Sequence, residues 1–337
     1  MPVYNEAPHV GRTIETLLEA IDRSGFEANL VLVDDGSTDG SAEAARVALA
    51  GRLSMSVVTQ PNRGRFHAVR AGLRRATGPN VLVLGARVRL RPDALAFVRE
   101  RQQAGELIWT GHVHIHTGRN PYGVFLNVLT EIAWRAYFDR PRTLSFGLEA
   151  FDHYPKGSGC FVAPRNVLVN AFAELPTRYA DPRHANDDTP QLRRIAASQP
   201  IHLSPSFASD YVPRTTLRRF LTHSVHRGTV FLDGHGRRES RFFPMVVAFF
   251  PVTVAVAIAS LFRPRALPIA LAATSVAGAA VAASARRSRF EVAVVAGLCP
   301  TWATAFGVGL WRGLGMLGAA RLSTPDRSAL GQSEPGV

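Results

Sequence analysis

The clearest indication of the fold comes from residues 30–41, which read Leu30-Val31-Leu32-Val33-Asp34-Asp35-Gly36-Ser37-Thr38-Asp39-Gly40-Ser41. Its first four residues are apolar and predict a buried strand, and the acidic, glycine-rich residues that follow predict a turn leading into a helix from Ala42. In a parallel sheet, ligands bind where the strands end at their carboxyl edge. The turn is therefore a candidate ligand site, although Asp, Ser and Gly are also typical of a plain turn with a helix cap.

The same pattern extends over residues 1–235, where short β-rich runs alternate with helical stretches. Val57-Val58 and Val81-Leu82-Val83-Leu84 predict two more strands, and the loop Gln60-Pro61-Asn62-Arg63-Gly64 follows the first of them. This alternation predicts an α/β fold.

Three motifs occur in order along this region: Pro2-Val3-Tyr4-Asn5-Glu6-Ala7, then residues 34–41, then Asn62-x-Gly64-x-x-x-Ala68-x-x-x-Gly72. In this combination residues 1–235 resemble the family 2 glycosyltransferases, which are inverting, nucleotide-sugar-dependent enzymes with the Rossmann-like GT-A fold. The resemblance implies that Glu6, Asp34 and Asp35 hydrogen-bond a uracil and ribose, and hence a UDP-linked donor. The donor-nucleotide-binding residues that it implies are Pro2, Tyr4, Glu6, Asp34, Asp35, Asn62, Gly64 and Arg65. Arg63 and Arg65 either reach the diphosphate or are solvated loop charges.

The family's metal motif is missing. In the resembled enzymes the strand at residues 81–84 ends in Asp-x-Asp, which holds Mg²⁺ or Mn²⁺ on the sugar diphosphate, whereas this chain has Gly85-Ala86-Arg87. Neither Gly85 nor Arg87 can ligate a hard cation, so no metal site is predicted and dependence on Mg²⁺ or Mn²⁺ stays open. We hypothesise that Arg87 supplies part of the positive charge that a leaving diphosphate needs. Alternation along the chain leaves Arg89 and Arg91 as other candidates, and the alternative is solvated arginines in a site that has lost activity.

The second half of the domain carries the predicted acceptor side. The resemblance assigns Asp188 of Asn186-Asp187-Asp188-Thr189 as the base that deprotonates the acceptor hydroxyl, with Asp187 as its partner; either residue could instead be only a helix cap. An acceptor phosphate would need no strong base. Gly157, Ser158 and Gly159 correspond to a glycine-rich strand entry beside donor sugar and acceptor.

A later stretch, His223-x-x-His226-Arg227-Gly228, looks like a remote form of the Gln-x-x-Arg-Trp element of processive members. Because it lacks both Gln and Trp, we expect addition of a single sugar. His223 is placed on the acceptor side, and Arg227 is a second candidate for the diphosphate. His112, His114 and His116 alternate as on the polar face of a strand and lack an evident fourth metal ligand.

The carboxyl-terminal region is apolar. The windows 243–262, 266–285 and 292–311 contain no charged residue, and each is long enough to cross a bilayer. We expect a membrane region over 242–316 with two to three helices, possible re-entrant segments, and a polar tail over 317–337.

No signal segment is found in the first 240 residues, so the catalytic domain is expected on the cytoplasmic side of a multi-pass cell-membrane protein. The first strand looks truncated, because in the resembled fold a buried strand precedes Pro2, and we expect the true start upstream.

The composition excludes some classes of protein. The 337 residues carry 39 Lys+Arg and 26 Asp+Glu, a net charge of +13, yet 46% are hydrophobic, which excludes a disordered chain. No basic helix or aromatic RNA-binding motif suggests a nucleic-acid partner. The leading prediction is an inverting transferase that moves a sugar from a nucleotide donor to a lipid-linked or cell-envelope glycan acceptor. The alternatives are a polyprenyl-phosphate sugar synthase and a non-catalytic membrane protein that binds nucleotide-sugars.

Overall fold

The computed structural model describes residues 1–322. Strands and helices alternate through the first 235 residues, as the sequence predicts. The strands are β1 Pro2–Val3, β2 Leu30–Asp34, β3 Met55–Thr59, β4 Asn80–Leu84, β5 Val88–Leu90, β6 Trp109–Ile115, β7 Leu144–Phe146, β8 Cys160–Pro164 and β9 Ile201–Tyr211. The helices are α1 Ala7–Ser24, α2 Ser41–Leu49, α3 Arg65–Arg75, α4 Ala94–Gln103, α5 Pro121–Ala133, α6 Arg135–Phe138, α7 Arg165–Ala171, α8 Thr189–Ala196, α9 Leu217–His235, α10 Phe243–Phe262, α11 Ala266–Ser284 and α12 Arg289–Leu322.

These strands form two hydrogen-bonded sheets. The first is parallel, in the order β1-β2-β3, and the second has the order β4-β8-β6-β9-β5, with β7 also paired to β9. In the second sheet only β6 and β9 are parallel. Their register shifts between Gly111 and His112, opposite the part of β9 that contains Pro205, which cannot donate to the ladder. The three predicted strands are present, but β4 pairs with β8 rather than with a neighbour in the parallel sheet.

The boundary between the sheets lies beside the short first strand. Met1 and β1 pair with the carboxyl half of β2, through bonds such as Val33 N to Met1 O at 2.9 Å. Next to the amino half of β2 lies a mostly apolar cavity of about 560 Å³, lined by residues of β2, β4, α1 and α4 among others. Its lining shares only Pro2 with the predicted site residues. The expected start upstream of Met1 stays a prediction.

The core explains why the carboxyl ends of β1, β2 and β3 meet. Val10, Ile14 and Leu17 of α1 pack against Leu30 and Leu32 of β2 in one buried cluster, which continues to Trp109 and Phe207 of the second sheet. A second cluster, around Phe66, Phe161 and Phe172, packs α3 and α7 against the second sheet. The loops that follow the parallel strands therefore converge at one edge.

Three C-terminal helices, α10, α11 and α12 up to Ala319, are long and apolar enough to cross a membrane. Helices α10 and α11 expose most of their apolar side chains, whereas α12 buries Val295, Ala305 and Leu310. Helix α12 continues through Leu322, past the predicted boundary at 316. The rest of the predicted polar tail, residues 323–337, lies outside the described residues.

Candidate active site

The first two motif loops are joined by hydrogen bonds. The Asn5 side chain accepts from Thr38 N at 2.8 Å, and Glu6 N donates to Ser41 Oγ at 2.8 Å. Asp34 Oδ1 accepts from Ser37 N at 2.8 Å, which closes the turn after β2. The turn therefore holds the Tyr4–Glu6 loop in place at the carboxyl edge of the sheet.

Asp35 connects the second loop to the third. Its Oδ1 accepts from Gln60 Nε2 at 2.7 Å and Arg63 N at 2.9 Å, and its Oδ2 accepts from Gly64 N at 2.9 Å. The carboxylate is buried and both of its oxygens are engaged, so in this structure it orders the Asn62–Gly64 loop.

Gly64 has φ +88° and meets the segment that leads to Asp187. A Cβ added there would lie 3.0 Å from the Arg183 Cα atom, so a side chain would separate the two loops. This close approach joins the predicted donor half to the predicted acceptor half.

Arg65, the first residue of α3, bridges the two halves directly. Its Nη1 donates to Ser158 Oγ at 2.6 Å and to Asp187 Oδ2 at 3.1 Å, and its Nη2 donates to Ser158 O at 2.8 Å. Charge-assisted bonds of this kind contribute about 1.5–3 kcal/mol each when they are shielded from water. Because the Arg65 side chain is about a third exposed, we expect the lower end of that range.

Asp188, the predicted base, lies directly before α8 and makes no side-chain cap bond to that helix. The alternative of a simple helix cap does not describe it, because Asn186 Oδ1, not an Asp188 oxygen, accepts from Thr189 N at 2.9 Å. Asp188 Oδ2 accepts from Ser158 N at 3.1 Å and lies 3.7 Å from the Cβ position of Gly157. Burial raises the pKa of Asp188 above its ordinary value and the charge of Asp187 raises it further, while Arg65 opposes this rise. A raised pKa suits a group that must take a proton near neutral pH.

Arg87 is buried next to Glu6. The guanidinium Nε donates to Glu6 Oε1 at 2.8 Å, and Arg214 Nη1 donates to the same oxygen at 3.2 Å. Glu6 therefore accepts hydrogen bonds from two arginines in this structure, and its ribose contact stays a prediction. Arg91, by contrast, forms an exposed ion pair with Asp210 on β9, at 3.3 Å, so of these two it is Arg87 that lies at the site.

Helix α9 carries two further predicted site residues, His223 and Arg227. Burial lowers the pKa of His223 well below its usual value, and Arg227, Arg214, His226 and Arg87 lower it further, so this imidazole is neutral at pH 7. Arg227, Arg214 and Arg87 thus all act on the pKa of this imidazole, and Glu6 is hydrogen-bonded to the last two of these arginines.

This environment does not fit a divalent cation. The position of the usual carboxylates is taken by Gly85, whose N donates to Gly159 O at 2.8 Å, and by the buried Arg87 guanidinium. Among residues 1–322, no group of three His, Cys, Asp or Glu side chains is arranged to hold a metal ion.

Sequence reasoning missed the residues that hold the Asp187–Asp188 segment. Asp233 of α9 is buried, and its carboxylate accepts from Asn186 N at 2.9 Å and from Arg178 N at 3.1 Å. A Cβ on Gly234 would lie 2.3 Å from Asn186 Nδ2, so α9 touches this segment closely. No local signal in the sequence marks Asp233, because its partners are 47 and 55 residues away.

Comparison with known proteins identifies the family to which residues 1–162 are similar. The model of glycosyl transferase family 2 matches residues 1–162. These residues form a family 2 glycosyltransferase domain. The chain is 33% identical over 213 residues to the undecaprenyl-phosphate 4-deoxy-4-formamido-L-arabinose transferase of Edwardsiella ictaluri, covering 55% of this chain and 60% of that one. It is 32% identical over 107 residues to the enzyme of the same name from Aeromonas hydrophila, covering 31% and 33%. The chain thus spans less than two thirds of the length of either relative.

A solved structure extends the likeness of fold over nearly the whole chain. S. aureus TarS, residues 1–349, aligns with a TM-score of 0.50 at 15% identity and covers 96% of this chain and 90% of that one. At this identity the likeness concerns the fold alone. It agrees with the predicted GT-A architecture of the glycosyltransferase domain.

The fold brings most of the predicted site residues of the glycosyltransferase domain together. Arg65, Ser158, Asp187 and Asp188 share one hydrogen-bond network, and Gly157 and Gly159 lie beside it. Arg87 and Arg227 both lower the pKa of His223. Pro2 is part of β1, Tyr4 is 48% exposed at the rim, and Asn62 is half-buried in the third loop. The individual roles of these residues stay predictions.

Proposed function

We propose that this protein is an inverting glycosyltransferase that moves a sugar from a nucleotide-sugar, with UDP as the expected nucleotide, to a lipid-linked acceptor at the cell membrane. The observation that carries the proposal is the position of Asp188 next to Ser158 and Arg65, beside the family 2 motif loops. The apolar helices support a membrane location, and the catalytic domain is proposed to face the cytoplasm.

In the proposed reaction, the Asp188 carboxylate takes the proton of the acceptor hydroxyl as that oxygen attacks the anomeric carbon. The bond from this carbon to the diphosphate oxygen breaks, and the configuration inverts. Asp187 keeps the pKa of Asp188 high, while Arg65 limits the rise so that the carboxyl can still ionise. Arg87, Arg214 and Arg227 stabilise the charge that develops on the leaving diphosphate, in place of a cation.

A second acceptor is favoured by the relatives. Both proteins named above are undecaprenyl-phosphate sugar transferases, so a polyprenyl phosphate is the alternative acceptor. Its phosphate oxygen is already ionised and needs no base. The two acceptors therefore differ in how strongly transfer depends on Asp188: a hydroxyl acceptor requires the carboxylate and a phosphate acceptor does not.

The experiment has two steps. A thermal-shift screen of nucleotide-sugars on the detergent-solubilised chain identifies the donor, and transfer of its radiolabelled sugar to polyprenyl phosphate or to a glycolipid extract identifies the acceptor. With a hydroxyl acceptor, Asp188→Asn should lower kcat by about 10²–10⁴-fold and leave donor binding intact. Donor binding without transfer to any acceptor would instead support a non-catalytic nucleotide-sugar-binding protein.

A further inference from the structure

Helix α12 contacts the glycosyltransferase domain along almost its whole apolar stretch. Arg287, just before the helix, forms an ion pair with Glu131 of α5. Further along, the ring centroids of Trp302 and Phe125 are 5.7 Å apart. Near the other end, Arg312 Nη2 lies 2.9 Å from His184 Nε2, on the segment that leads to Asp187.

The middle of this interface is packed backbone to backbone. A Cβ on Gly228 of α9 would lie 2.0 Å from Phe306 O, and a Cβ on Gly309 would lie 2.1 Å from Val225 O. Thr229 Oγ1 also donates to Gly309 O at 3.1 Å in a buried position. Glycine is needed at both positions, because any side chain would force the helices apart.

The length of this contact is incompatible with a helix that crosses a bilayer away from the domain. Helix α12 rises about 35 Å between Arg289 and Arg312, and the hydrocarbon core of a bilayer is about 30 Å thick. Polar groups of one folded domain, Glu131 and His184, are bound at the two ends of this distance. A domain on one side of the hydrocarbon cannot reach both ends of a helix that traverses it. Within the described residues, α12 extends about 15 Å past Arg312, to Leu322.

We propose that α12 does not cross the membrane but lies between the catalytic domain and the bilayer, parallel to its surface. The helix has two apolar faces that fit this position. Val295, Ala305 and Leu310 are buried, whereas Val308 and Leu314 are exposed and would contact lipid; the Trp311 indole, in contrast, donates to Thr253 Oγ1 of α10 at 3.2 Å. The segment that enters the hydrocarbon is then the pair α10 and α11, and both ends of α12 are on the same side of the membrane as the catalytic domain.

Labelling of introduced cysteines tests this topology without requiring a donor or an acceptor. Gln103→Cys, at an exposed position of α4, reports the side of the catalytic domain, and Ser333→Cys reports the side of the carboxyl terminus. Full-length chains in sealed membrane vesicles of known orientation are treated with a membrane-impermeant maleimide, and the unsubstituted chain, with Cys160 buried and Cys299 half-buried, gives the background.

Both introduced cysteines should react from the same side. Reaction from opposite sides would show that α12 crosses the membrane and would overturn the proposal. Reporter fusions at residue 337, one active only in the cytoplasm and one active only outside it, give a second measurement. If the reporter is active on the side from which Gln103→Cys is labelled, the result supports a surface position for α12. Reporter activity on the opposite side refutes it. Neither result depends on turnover, so the proposed reaction could fail while this topology stands.

Discussion

The charges around Asp188 can be tested by shifting its pKa in opposite directions with two substitutions. Arg65 Nη1 lies 3.1 Å from Asp187 Oδ2 and 2.6 Å from Ser158 Oγ, and the Ser158 N–H donates to Asp188 at 3.1 Å. Two unit charges about 6 Å apart interact by about 1.4 kcal/mol at an effective dielectric constant of about 40, which changes an ionisation equilibrium by a factor of about ten. Asp187→Asn should therefore lower the pKa of Asp188, and Arg65→Gln should raise it.

The assay is kcat/KM for transfer as a function of pH. A base works when it is deprotonated, so activity is present above the pKa of Asp188 and is lost as the pH falls through it. The acid limb should move to lower pH in Asp187→Asn and to higher pH in Arg65→Gln. Asp22→Asn, which removes a carboxylate from an exposed ion pair with Arg52, should leave the limb in place. Shifts in the same direction for both site variants, or no acid limb in the unsubstituted enzyme, would refute Asp188 as the base.

Three further predictions concern the residues around this base. Arg87→Met removes a charge-assisted contact and should raise the Kd of the nucleotide-sugar by about 10- to 100-fold in a titration. The control Arg91→Met removes an exposed ion pair and should change this Kd less than about twofold. Equal effects of the two substitutions would argue against Arg87 as a donor-binding residue. Transfer should persist in excess EDTA, since Gly85 and Arg87 occupy the positions of the usual metal ligands. Loss of transfer in EDTA with recovery on adding Mn²⁺ would contradict this. Asp233→Asn should lower the free energy of unfolding by about 2 kcal/mol, because an amide cannot accept both buried N–H groups, and should reduce kcat more than it changes the donor KM. The exposed Asp139→Asn is its control, and an unchanged kcat in a folded Asp233→Asn protein would show that Asp233 does not position the segment.

The donor half was largely predictable because its signals are local. Apolar runs ending in acidic, glycine-rich turns predict strands with a ligand site at their carboxyl ends, and Leu30–Asp34, Met55–Thr59 and Asn80–Leu84 are strands. The pairing partner of β4 was not predictable. Its antiparallel bonds with β8 join residues about 80 positions apart, and no local pattern encodes such a pairing.

The family 2 motif loops and their order, the missing Asp-x-Asp pair and the apolar carboxyl-terminal helices are predictable from the sequence, because each of these depends on residue types at short spacing. The contacts of the motif residues, in contrast, depend on the tertiary structure. In the folded chain, Asp35 accepts hydrogen bonds from the third loop, and Glu6 accepts from Arg87 and Arg214. Asp233 accepts from Asn186 N and so holds the segment that contains Asp187 and Asp188. The tertiary structure also places α12 against the catalytic domain, where composition alone indicates a membrane span. Hydropathy reports how apolar a helix is, and only packing determines whether protein or lipid covers it.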